Sequence, residues 1–508
     1  MKLNAATVTD GYKVAHGSMY ADGTTKVYSN LTPRSDKIYA RNAIEFYDGN
    51  LVFVGAQGAV QEIKELWDDS FFSKPKEKVI GEYATRMAGY LGGEVAATQQ
   101  LSDLHDIGYL PLVFKALPEG SLVPMGVPVI TITNTLPSAF WLVNYLETVI
   151  SNLTWKTAAN ATIAREYKKI CQHFATLTGT DDFTVSIQCH DFSERGMSGP
   201  EDAARSGFAH LTSFIGTDTL PAMDYAEDYY DATGLIAISV PATEHAVATN
   251  NILSIEQGLN HDHNTRLDAE RIFMNNLITQ KYPKGIVSYV ADSFDFWSVL
   301  TDILPSLKEV IINREASNVA PGKLVIRPDS GDPVKVVCGD EEAEVGSAEY
   351  KGAIEVLWET FNGTITDKGY KLLDSHIGLI YGDSITTKRA LEILTRLEKK
   401  GFASGNVVFG VGSYTYQCNT RDTFGMALKA TYSIVNGKPV NIFKDPKTDS
   451  KKKSAKGLLK VEKDIDGKFI LIDQVSEQLE TEGELKTIFE NGVLLNRVTL
   501  DTIRARLS

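Results

Sequence analysis

Cysteine is scarce in this chain, and long hydrophobic runs are absent. The four cysteines show no spacing typical of a metal site: they are Cys171, Cys189, Cys338 and Cys418. This pattern excludes a disulfide framework and predicts a reduced, cytoplasmic protein. No stretch approaches the roughly 20 apolar residues of a transmembrane helix, and the first residues lack the apolar core of a signal peptide. We therefore expect no membrane association.

Clustered positive charge is also scarce. Acidic residues outnumber basic residues by 65 to 51, which gives a formal net charge of -14. This balance argues against a nucleic-acid partner, because phosphate backbones require clustered cations. The basic run at 447–456 is more typical of a solvated loop than of a binding site. The length of 508 residues predicts roughly two to four domains.

What the sequence does contain is a repeated unit: a short apolar run, then polar or small residues, then a helical pattern. The apolar runs lie at 183–188, 234–240, 286–291, 324–326, 377–381 and 407–409. If these runs are parallel strands, their carboxyl ends meet on one side of a barrel. A folding core does not require reactive side chains there. The pattern therefore predicts an enzyme with an α/β barrel at 181–420.

The flanking regions have a different character. Residues 1–180 mix both signals, with a strand pattern at 122–133 and helical patterns from Ser138 to 155 and at 161–177. We predict a mixed α+β region there. Residues 421–508 predict a β-rich region that packs with it, with hairpin turns at Asn436-Gly437 and Asp466-Gly467. Inside the barrel region, the polar stretch at 250–284, which contains His261 and His263, is predicted to form helices outside the barrel itself. The acidic stretch at 337–351 is predicted to form an exposed loop or hairpin.

Phosphate chemistry is indicated by three of the strand ends. Arg327 can clamp a phosphate and Asp329 can hold a metal or sugar hydroxyls, although such a pair can also simply close a turn. The loops Gly382-Asp383-Ser384 and 410–413 can cradle a phosphate with backbone N–H groups. Glycine also serves ordinary tight turns, so neither loop is decisive alone.

The other strand ends carry candidate reactive groups. His245 beside Glu244 is a candidate nucleophile or acid–base group. Asp292 and Asp295 can orient that histidine or bind Mg²⁺, whereas capping of a helix by Asp292 or Ser293 fits their spacing equally well.

An aromatic side chain and an acid also stand at strand ends. Phe192 near Arg195 suits a flat heterocycle that bears a phosphorylated group, although taken singly this phenylalanine is more typical of core. Asp218 stands in a turn and can equally form an ordinary Asx turn.

In these residues, and nearly end to end, the chain resembles the nicotinamide phosphoribosyltransferases, which are type II phosphoribosyltransferases. The matching blocks, in order, are TDGYKVAH at 9–16, KVYS at 26–29, HDFSERG at 190–196, FIGTDT at 214–219, SVPATEH at 239–245, IRPDSG at 326–331, TRD at 420–422 and FKDP at 443–446. The resemblance implies an irregular α/β barrel with a second mixed α+β domain built from both chain ends. It also implies a homodimer with shared active sites.

The implied reaction moves the 5-phosphoribosyl group of phosphoribosyl pyrophosphate to nicotinamide, giving nicotinamide mononucleotide and pyrophosphate for NAD salvage. Mg²⁺ is expected mainly on the substrate pyrophosphate, so no dedicated protein metal site is predicted. ATP is expected as a coupled co-substrate that phosphorylates His245. The pyridine nitrogen is already an unprotonated nucleophile, so no general base is needed.

Residue roles follow from the resemblance position by position. The implied catalytic residues are His245, Glu244, Asp292 and Asp329. The implied substrate-binding residues are Tyr12 (from the partner subunit), Phe192, Arg195, Asp218, Ser239, Ser288, Arg327, Gly382, Asp383, Gly412 and Ser413. The implied polyphosphate-binding residues are Arg34, Arg421, Lys429 and Lys444. Phe192 is expected to stack on the nicotinamide ring, and Asp218 to accept a hydrogen bond from its amide.

Two departures keep alternatives open. Ser413 and Tyr414 replace glycines of the animal-type phosphate loop, which leaves room for another pyrophosphorylated sugar donor. Ser193-Glu194 replaces Gly-Tyr at the rim of the ring pocket. A nicotinate phosphoribosyltransferase is a second candidate, although Asp218 argues against an acidic acceptor. A silent metabolite-binding homologue is a third, disfavoured by the retained reactive residues. An aldolase or isomerase is disfavoured because no lysine follows these strands.

Overall fold

A computed structural model describes residues 3–93, 97–259, 265–444 and 455–508. His261, His263 and most of the basic run at 447–456 lie outside these residues. No helix within the described ranges has the length and apolar character needed to cross a membrane.

The strands follow one another along the chain. They are β1 (Thr24–Thr32), β2 (Asn50–Phe53), β3 (Leu112–Ala116), β4 (Ser121–Pro124), β5 (Ile130–Asn134), β6 (Cys189–Phe192), β7 (Gly216–Thr217), β8 (Ile286–Val290), β9 (Lys323–Arg327), β10 (Gly363–Ile365), β11 (Lys371–Leu373), β12 (Ile377–Tyr381), β13 (Val407–Gly412), β14 (Ala427–Val435), β15 (Lys438–Asn441), β16 (Leu458–Lys463), β17 (Phe469–Val475), β18 (Lys486–Glu490) and β19 (Val493–Leu494).

Helices separate most of these strands. They are α1 (His16–Met19), α2 (Lys37–Ala40), α3 (Ala56–Trp67), α4 (Lys76–Leu91), α5 (Ala97–Ile107), α6 (Leu142–Tyr145), α7 (Glu147–Thr178), α8 (Asp182–Ile187), α9 (Pro200–Leu211), α10 (Pro221–Tyr230), α11 (His245–Gly258), α12 (Thr265–Asn276), α13 (Phe296–Ser298), α14 (Leu304–Ser306), α15 (Lys308–Ile312), α16 (Pro333–Cys338), α17 (Ala348–Lys351), α18 (Ala353–Phe361), α19 (Thr387–Lys399), α20 (Ser413–Gln417), α21 (Glu477–Glu480) and α22 (Leu500–Leu507).

Two compact units divide the chain. The flanking unit comprises Met1–Thr162, Asp224–Gly234 and Asn419–Ser508, and the barrel unit comprises Ile163–Met223 and Leu235–Cys418. The sequence predicted domain boundaries near residues 180 and 420. In the structure the first boundary lies earlier, between Thr162 and Ile163 within α7. The segment Asp224–Gly234, which was predicted to belong to the barrel, belongs to the flanking unit.

The flanking unit is built on an antiparallel sheet with the strand order β15-β14-β1-β5-β3-β18-β19. Strands from both chain ends thus share one sheet. Its core includes a large cluster of apolar side chains that contains Leu31, Phe114, Ile132 and Phe489. The predicted hairpins are confirmed: β14 pairs with β15 and β16 with β17. Asn436 and Gly437 both adopt positive φ, as a two-residue hairpin turn requires.

The barrel unit is built on parallel strands in the order β7-β6-β13-β12-β9-β8. Residues 238–242 close the ring between its two edges, because Ile238 bridges Gly216 of β7 and Ala242 bridges Ser288 of β8, both in parallel. The predicted α/β barrel is therefore confirmed, with one irregular stave. The apolar runs at 286–291, 324–326, 377–381 and 407–409 are strands as predicted.

Two predicted strands are wrong. Residues 183–187 lie in helix α8 (Asp182–Ile187), which is capped by Asp181 because the Asp181 carboxylate accepts the Thr184 N–H. The strand is the next segment, β6, which was predicted to be a loop because it contains the polar residues His190 and Asp191. Residues 234–240 contribute only the Ile238 bridge.

The predicted helices also need correction. The patterns from Ser138 to 155 and at 161–177 become largely one helix, α7, after a short turn and α6. Helical decoration at 250–284 is confirmed for its described residues by α11 and α12. The acidic 337–351 is neither a pure loop nor a hairpin, since it includes the end of α16 and the short α17.

Candidate active site

A pocket of about 990 Å³ opens at the carboxyl ends of the barrel strands. The predicted residues that line it are Phe192, Arg195, Asp218, Glu244, His245, Arg327, Asp329, Gly382, Asp383, Gly412 and Ser413. Parallel strands bring these distant positions together. Residues that were not among the predicted site residues line it as well: Glu194, Thr219, Ala246, Ser384, Ile385, Thr386, Arg389 and Tyr414.

His245 starts helix α11 and pairs with Asp292, which follows β8. Its Nε2 lies 3.0 Å from Asp292 Oδ1, while Asp292 Oδ2 accepts the Asp329 N–H at 3.0 Å and the Ser330 hydroxyl at 2.6 Å. A carboxylate only accepts hydrogen bonds, so the imidazole donates through Nε2–H and Nδ1 keeps its lone pair. Asp292 is thus placed to orient the histidine, and that role stays a prediction. Asp295 instead caps α13.

Asp218 is held by a histidine and a serine at the end of β7. Its Oδ1 lies 2.9 Å from His190 Nε2 and 2.6 Å from the Ser239 hydroxyl. Burial alone would raise the pKa of Asp218, but the hydrogen bonds from His190 and Ser239 hold that pKa below its ordinary value. The carboxylate is therefore ionised at neutral pH and faces the pocket as a hydrogen-bond acceptor.

Sequence reasoning assigned no role to His190. Its signal was present, because residues of β6 alternate between buried and half-buried, and His190 and Phe192 share the half-buried side. The pairing with Asp218 depends on β6 and β7 being neighbours, which requires the sheet order.

Phe192 presents its ring at the end of β6. The ring stands edge-on to His190, with centroids 5.2 Å apart. Gly410 of β13 leaves the space that this ring occupies, since a Cβ there would lie 2.5 Å from Phe192 Cε2. The glycine pattern at 410–413 thus has a packing cause as well as the predicted phosphate role. Phe192 lines the pocket, where an aromatic ring suits a flat ligand ring.

Arg327 and Asp329 follow β9. Arg327 Nη2 donates to the Thr243 carbonyl at 3.3 Å, and its buried Nε finds no acceptor in the described part of the chain. The Arg327 guanidinium also lines the pocket, where it can donate hydrogen bonds to an anionic ligand. A Cβ on Gly382 would lie 2.6 Å from Asp329 Oδ1, so the glycine permits that carboxylate to approach the loop.

The loop after β13 differs from a glycine-rich cradle. Gly412 ends the strand and Ser413 starts α20, with the Ser413 side chain packed directly over Gly196. Tyr414 is 69% exposed. Hydroxyl groups therefore border the pocket where the animal-type pattern has glycine.

Three other predicted residues, Ser239, Ser288 and Glu244, make few contacts that support their predicted roles. Ser239 reaches the site through its bond to Asp218. Ser288 is buried on β8, pairs through its backbone with 241–243, and does not line the pocket. Glu244 lines the pocket but makes no capping bond to α11.

The remaining predicted residues belong to the flanking unit. Tyr12 is 64% exposed and its ring stands edge-on to His16. Arg34 donates to the Gly425 carbonyl, and Lys429 lies 3.5 Å from Glu147. The other two predicted basic residues of this unit, Arg421 and Lys444, are exposed. Their substrate contacts stay predictions.

The carboxylates of the pocket suit Mg²⁺ that arrives on a substrate. In the ranges that the structure describes, no group of three or more His, Cys, Asp or Glu side chains could hold a metal ion by itself. Asp329 and Asp383 nevertheless bring oxygen ligands to the pocket, and Mg²⁺ is commonly bound by one or two carboxylates plus phosphate oxygens.

The chain is similar in sequence to one protein family and to several named proteins. The nicotinate phosphoribosyltransferase (NAPRTase) family matches residues 187–493. A nicotinamide phosphoribosyltransferase of Acinetobacter baylyi is 50% identical over 509 residues, covering 100% of this chain and 97% of the relative. One of Xanthomonas campestris is 32% identical, covering 98% and 96%, and one of Mycoplasma pneumoniae is 32% identical, covering 88% and 93%.

Solved structures agree on the fold. Human nicotinic acid phosphoribosyltransferase aligns with a TM-score of 0.56 at 15% identity, covering 98% of this chain and 92% of that one. Nicotinate-nucleotide pyrophosphorylase from Pyrococcus furiosus aligns with 0.54 at 14%, covering 99% and 94%. The predicted type II phosphoribosyltransferase fold is therefore confirmed.

Proposed function

The chain belongs to the nicotinate phosphoribosyltransferase family, and from that premise we propose that it transfers the 5-phosphoribosyl group of phosphoribosyl pyrophosphate to nicotinamide. The ring nitrogen of nicotinamide bonds to C1 of the ribose while the bond from C1 to pyrophosphate breaks. The products, nicotinamide mononucleotide and pyrophosphate, belong to NAD biosynthesis. The relatives named above support this acceptor.

The observation that carries the acceptor assignment is the ionised Asp218 beside Phe192. The aromatic face can stack on the pyridine ring, and Asp218 can accept the amide N–H. Nicotinate would place its own carboxylate against Asp218, and like charges in a partly buried pocket repel. The pocket therefore favours the amide over the acid.

The donor groups fit the rest of the pocket. The guanidinium of Arg327 lines the pocket and can donate to an oxygen of the phosphoribosyl pyrophosphate, and Asp383 can accept ribose hydroxyls. Mg²⁺ bound to pyrophosphate would neutralise the leaving group, with Asp329 and Asp383 as its available protein ligands. Orientation of the ring and of C1 within one pocket supplies much of the rate enhancement.

Product analysis tests this function. The purified protein would be incubated with Mg²⁺ and phosphoribosyl pyrophosphate, with nicotinamide or nicotinate in parallel, and the products identified by mass spectrometry. We expect nicotinamide mononucleotide from the amide and little product from the acid. Product from nicotinate alone would support the second candidate. No product from either would point to another donor or to a binding role.

Replacing Asp218 by asparagine should lower the preference for nicotinamide over nicotinate, measured as the ratio of kcat/KM values, by at least about tenfold. The asparagine keeps the shape but removes the charge that repels nicotinate. Asp295→Asn is the matched control, because Asp295 caps a helix and does not line the pocket. An unchanged ratio in the Asp218 variant would exclude it as the selector.

We further propose that ATP phosphorylates His245 at Nδ1. The Nδ1 lone pair would bond to the γ-phosphorus as the bond to ADP breaks, and water would later release phosphate. Asp292 supports this step because its bond to Nε2–H leaves Nδ1 as the nucleophile. The added phosphate charge would strengthen binding of the magnesium-bound donor.

A homodimer with shared sites is also proposed, since the resemblance implies that Tyr12 of the partner subunit covers the open face of the nicotinamide ring. The exposed Tyr12 ring is available for such a contact. Mixing inactive Tyr12→Ala and Arg327→Ala dimers should restore up to about one quarter of wild-type activity, through heterodimers that hold one intact site. No recovery despite proven subunit exchange would show that each site is complete within one subunit.

A further inference from the structure

The loop after β12 turns through a left-handed residue that is not glycine. Ser384 has φ +56°, a left-handed backbone conformation that residues other than glycine and asparagine adopt at an energetic cost. Its hydroxyl donates to Asp383 Oδ2 at 2.7 Å, and its carbonyl oxygen accepts Arg389 Nη1–H at 2.6 Å. Arg389 is the third residue of α19, and it therefore holds the turn through its hydrogen bond to the Ser384 carbonyl.

Arg389 has donor capacity left over. It is half-buried and lines the pocket, and among the described residues its guanidinium makes this one hydrogen bond and no ion pair with a carboxylate. An arginine carries five N–H donors in a rigid fork that matches phosphate oxygens. A half-buried cation with unused donors at the wall of a pocket suits an anionic ligand.

The loops after β12 and β13 form one wall of the pocket. Their strands are paired in parallel, with Tyr381 opposite Phe409. The Thr415 hydroxyl of α20 donates to the Ile385 carbonyl at 3.1 Å, which ties the second loop to the first. Ser413 and Tyr414 thus present their hydroxyl groups on the same wall as Arg389.

The sugar donor carries a phosphate on C5 of its ribose and a pyrophosphate on C1. The resemblance implies that Gly382 and Gly412, which follow or end β12 and β13, lie against the 5′-phosphate. The wall after β12 and β13 is therefore the side on which we expect the 5′-phosphate.

We propose that Arg389 is a donor-binding residue that clamps the 5′-phosphate of the sugar donor while it holds the Ser384 turn in place. In this chain an arginine and hydroxyl groups do what a glycine-rich loop does with backbone N–H groups. The proposal rests on the proposed function for the identity of the donor, but it can be tested without turnover.

Three variants separate phosphate binding from support of the turn. Arg389→Ala removes both contributions, and Ser384→Gly lets the turn form without the clamp. Arg389→Ala combined with Ser384→Gly therefore lacks the phosphate contact while the turn can still form, and Ser384→Gly alone measures the loss of the Ser384 hydroxyl bond to Asp383. Lys388→Ala is the matched control, because it removes a neighbouring exposed cation of α19 that does not line the pocket.

The first readout is calorimetric binding of ribose 5-phosphate and, separately, of magnesium pyrophosphate to the full-length protein. Arg389→Ala should weaken ribose 5-phosphate binding at least about tenfold and leave pyrophosphate binding within about twofold. The double variant should stay equally weak, whereas Lys388→Ala should bind like wild type. In turnover, Arg389→Ala should raise KM for phosphoribosyl pyrophosphate at least about tenfold with a smaller effect on kcat, and Arg389→Lys should recover part of it.

Full recovery of ribose 5-phosphate binding by Ser384→Gly would overturn the clamp and leave Arg389 as a support of the loop. Equal losses for both ligands would overturn the assignment to the 5′-phosphate. If the wild type binds ribose 5-phosphate through Arg389 but forms no nicotinamide mononucleotide, the proposed function fails and the Arg389 assignment stands.

Discussion

His245→Ala should abolish ATP hydrolysis and leave only a slow transfer of the phosphoribosyl group. The variant lacks the Nδ1 lone pair that is proposed to accept the γ-phosphate, while Phe192 and Asp218, the proposed nicotinamide-binding residues, are unchanged. Loss of the nucleophile should lower ATPase activity by at least about a thousandfold, and transfer at saturating donor by much less. Release of phosphate from ATP and formation of mononucleotide would be measured in the same samples.

A second histidine–aspartate pair provides the control. His376 Nδ1 lies 2.8 Å from Asp374 Oδ1, in the same unit but outside the pocket. His376→Ala should leave both activities at wild-type levels. Asp292→Asn should retain some ATPase activity, because it alters the orientation of the imidazole rather than removing it. ATPase activity that survives in His245→Ala would remove His245 from the coupling step.

The barrel could be predicted because its strands are continuous apolar runs buried on both faces, as at β8 and β12. Prediction failed where local chemistry was ambiguous. Residues 183–188 alternate like a strand, but the Asp181 cap makes them a helix. Strand β6 was missed because its polar side chains are buried by neighbouring strands, a tertiary effect that no local pattern reveals.

The candidate site was largely predictable for a topological reason: parallel strands place their carboxyl ends together, whatever their distance in sequence. The missed residues act through partners that only the fold brings near. His190 matters because β7 lies beside β6 and so places Asp218 within hydrogen-bond distance. Arg389 matters because α19 returns to the loop that precedes it. Neither partnership has a signature in spacing alone.

Gly410→Ala should lower kcat/KM for nicotinamide by at least about a hundredfold, chiefly through KM. The new methyl group would lie 2.5 Å from Phe192 Cε2 and 2.9 Å from Gly382 Cα, so the ring must leave its position. The backbone cannot retreat easily, because β13 is paired on both sides, with β6 and β12. Overpacking of this kind typically costs about 1–3 kcal/mol, and here it also removes the stacking face.

A double-mutant cycle with Phe192→Ala shows whether the ring is the cause. Once the ring is gone, the close contact that remains for an alanine at position 410 is the one with Gly382 Cα, so Gly410→Ala should cost at least about tenfold less in that background than in the wild type. Gly258→Ala is the matched glycine control, since its Cβ would meet open space at the end of α11. Equal losses from Gly410→Ala in both backgrounds would show that it acts through the Gly382 loop, and would leave Phe192 without support as the platform for the nicotinamide ring.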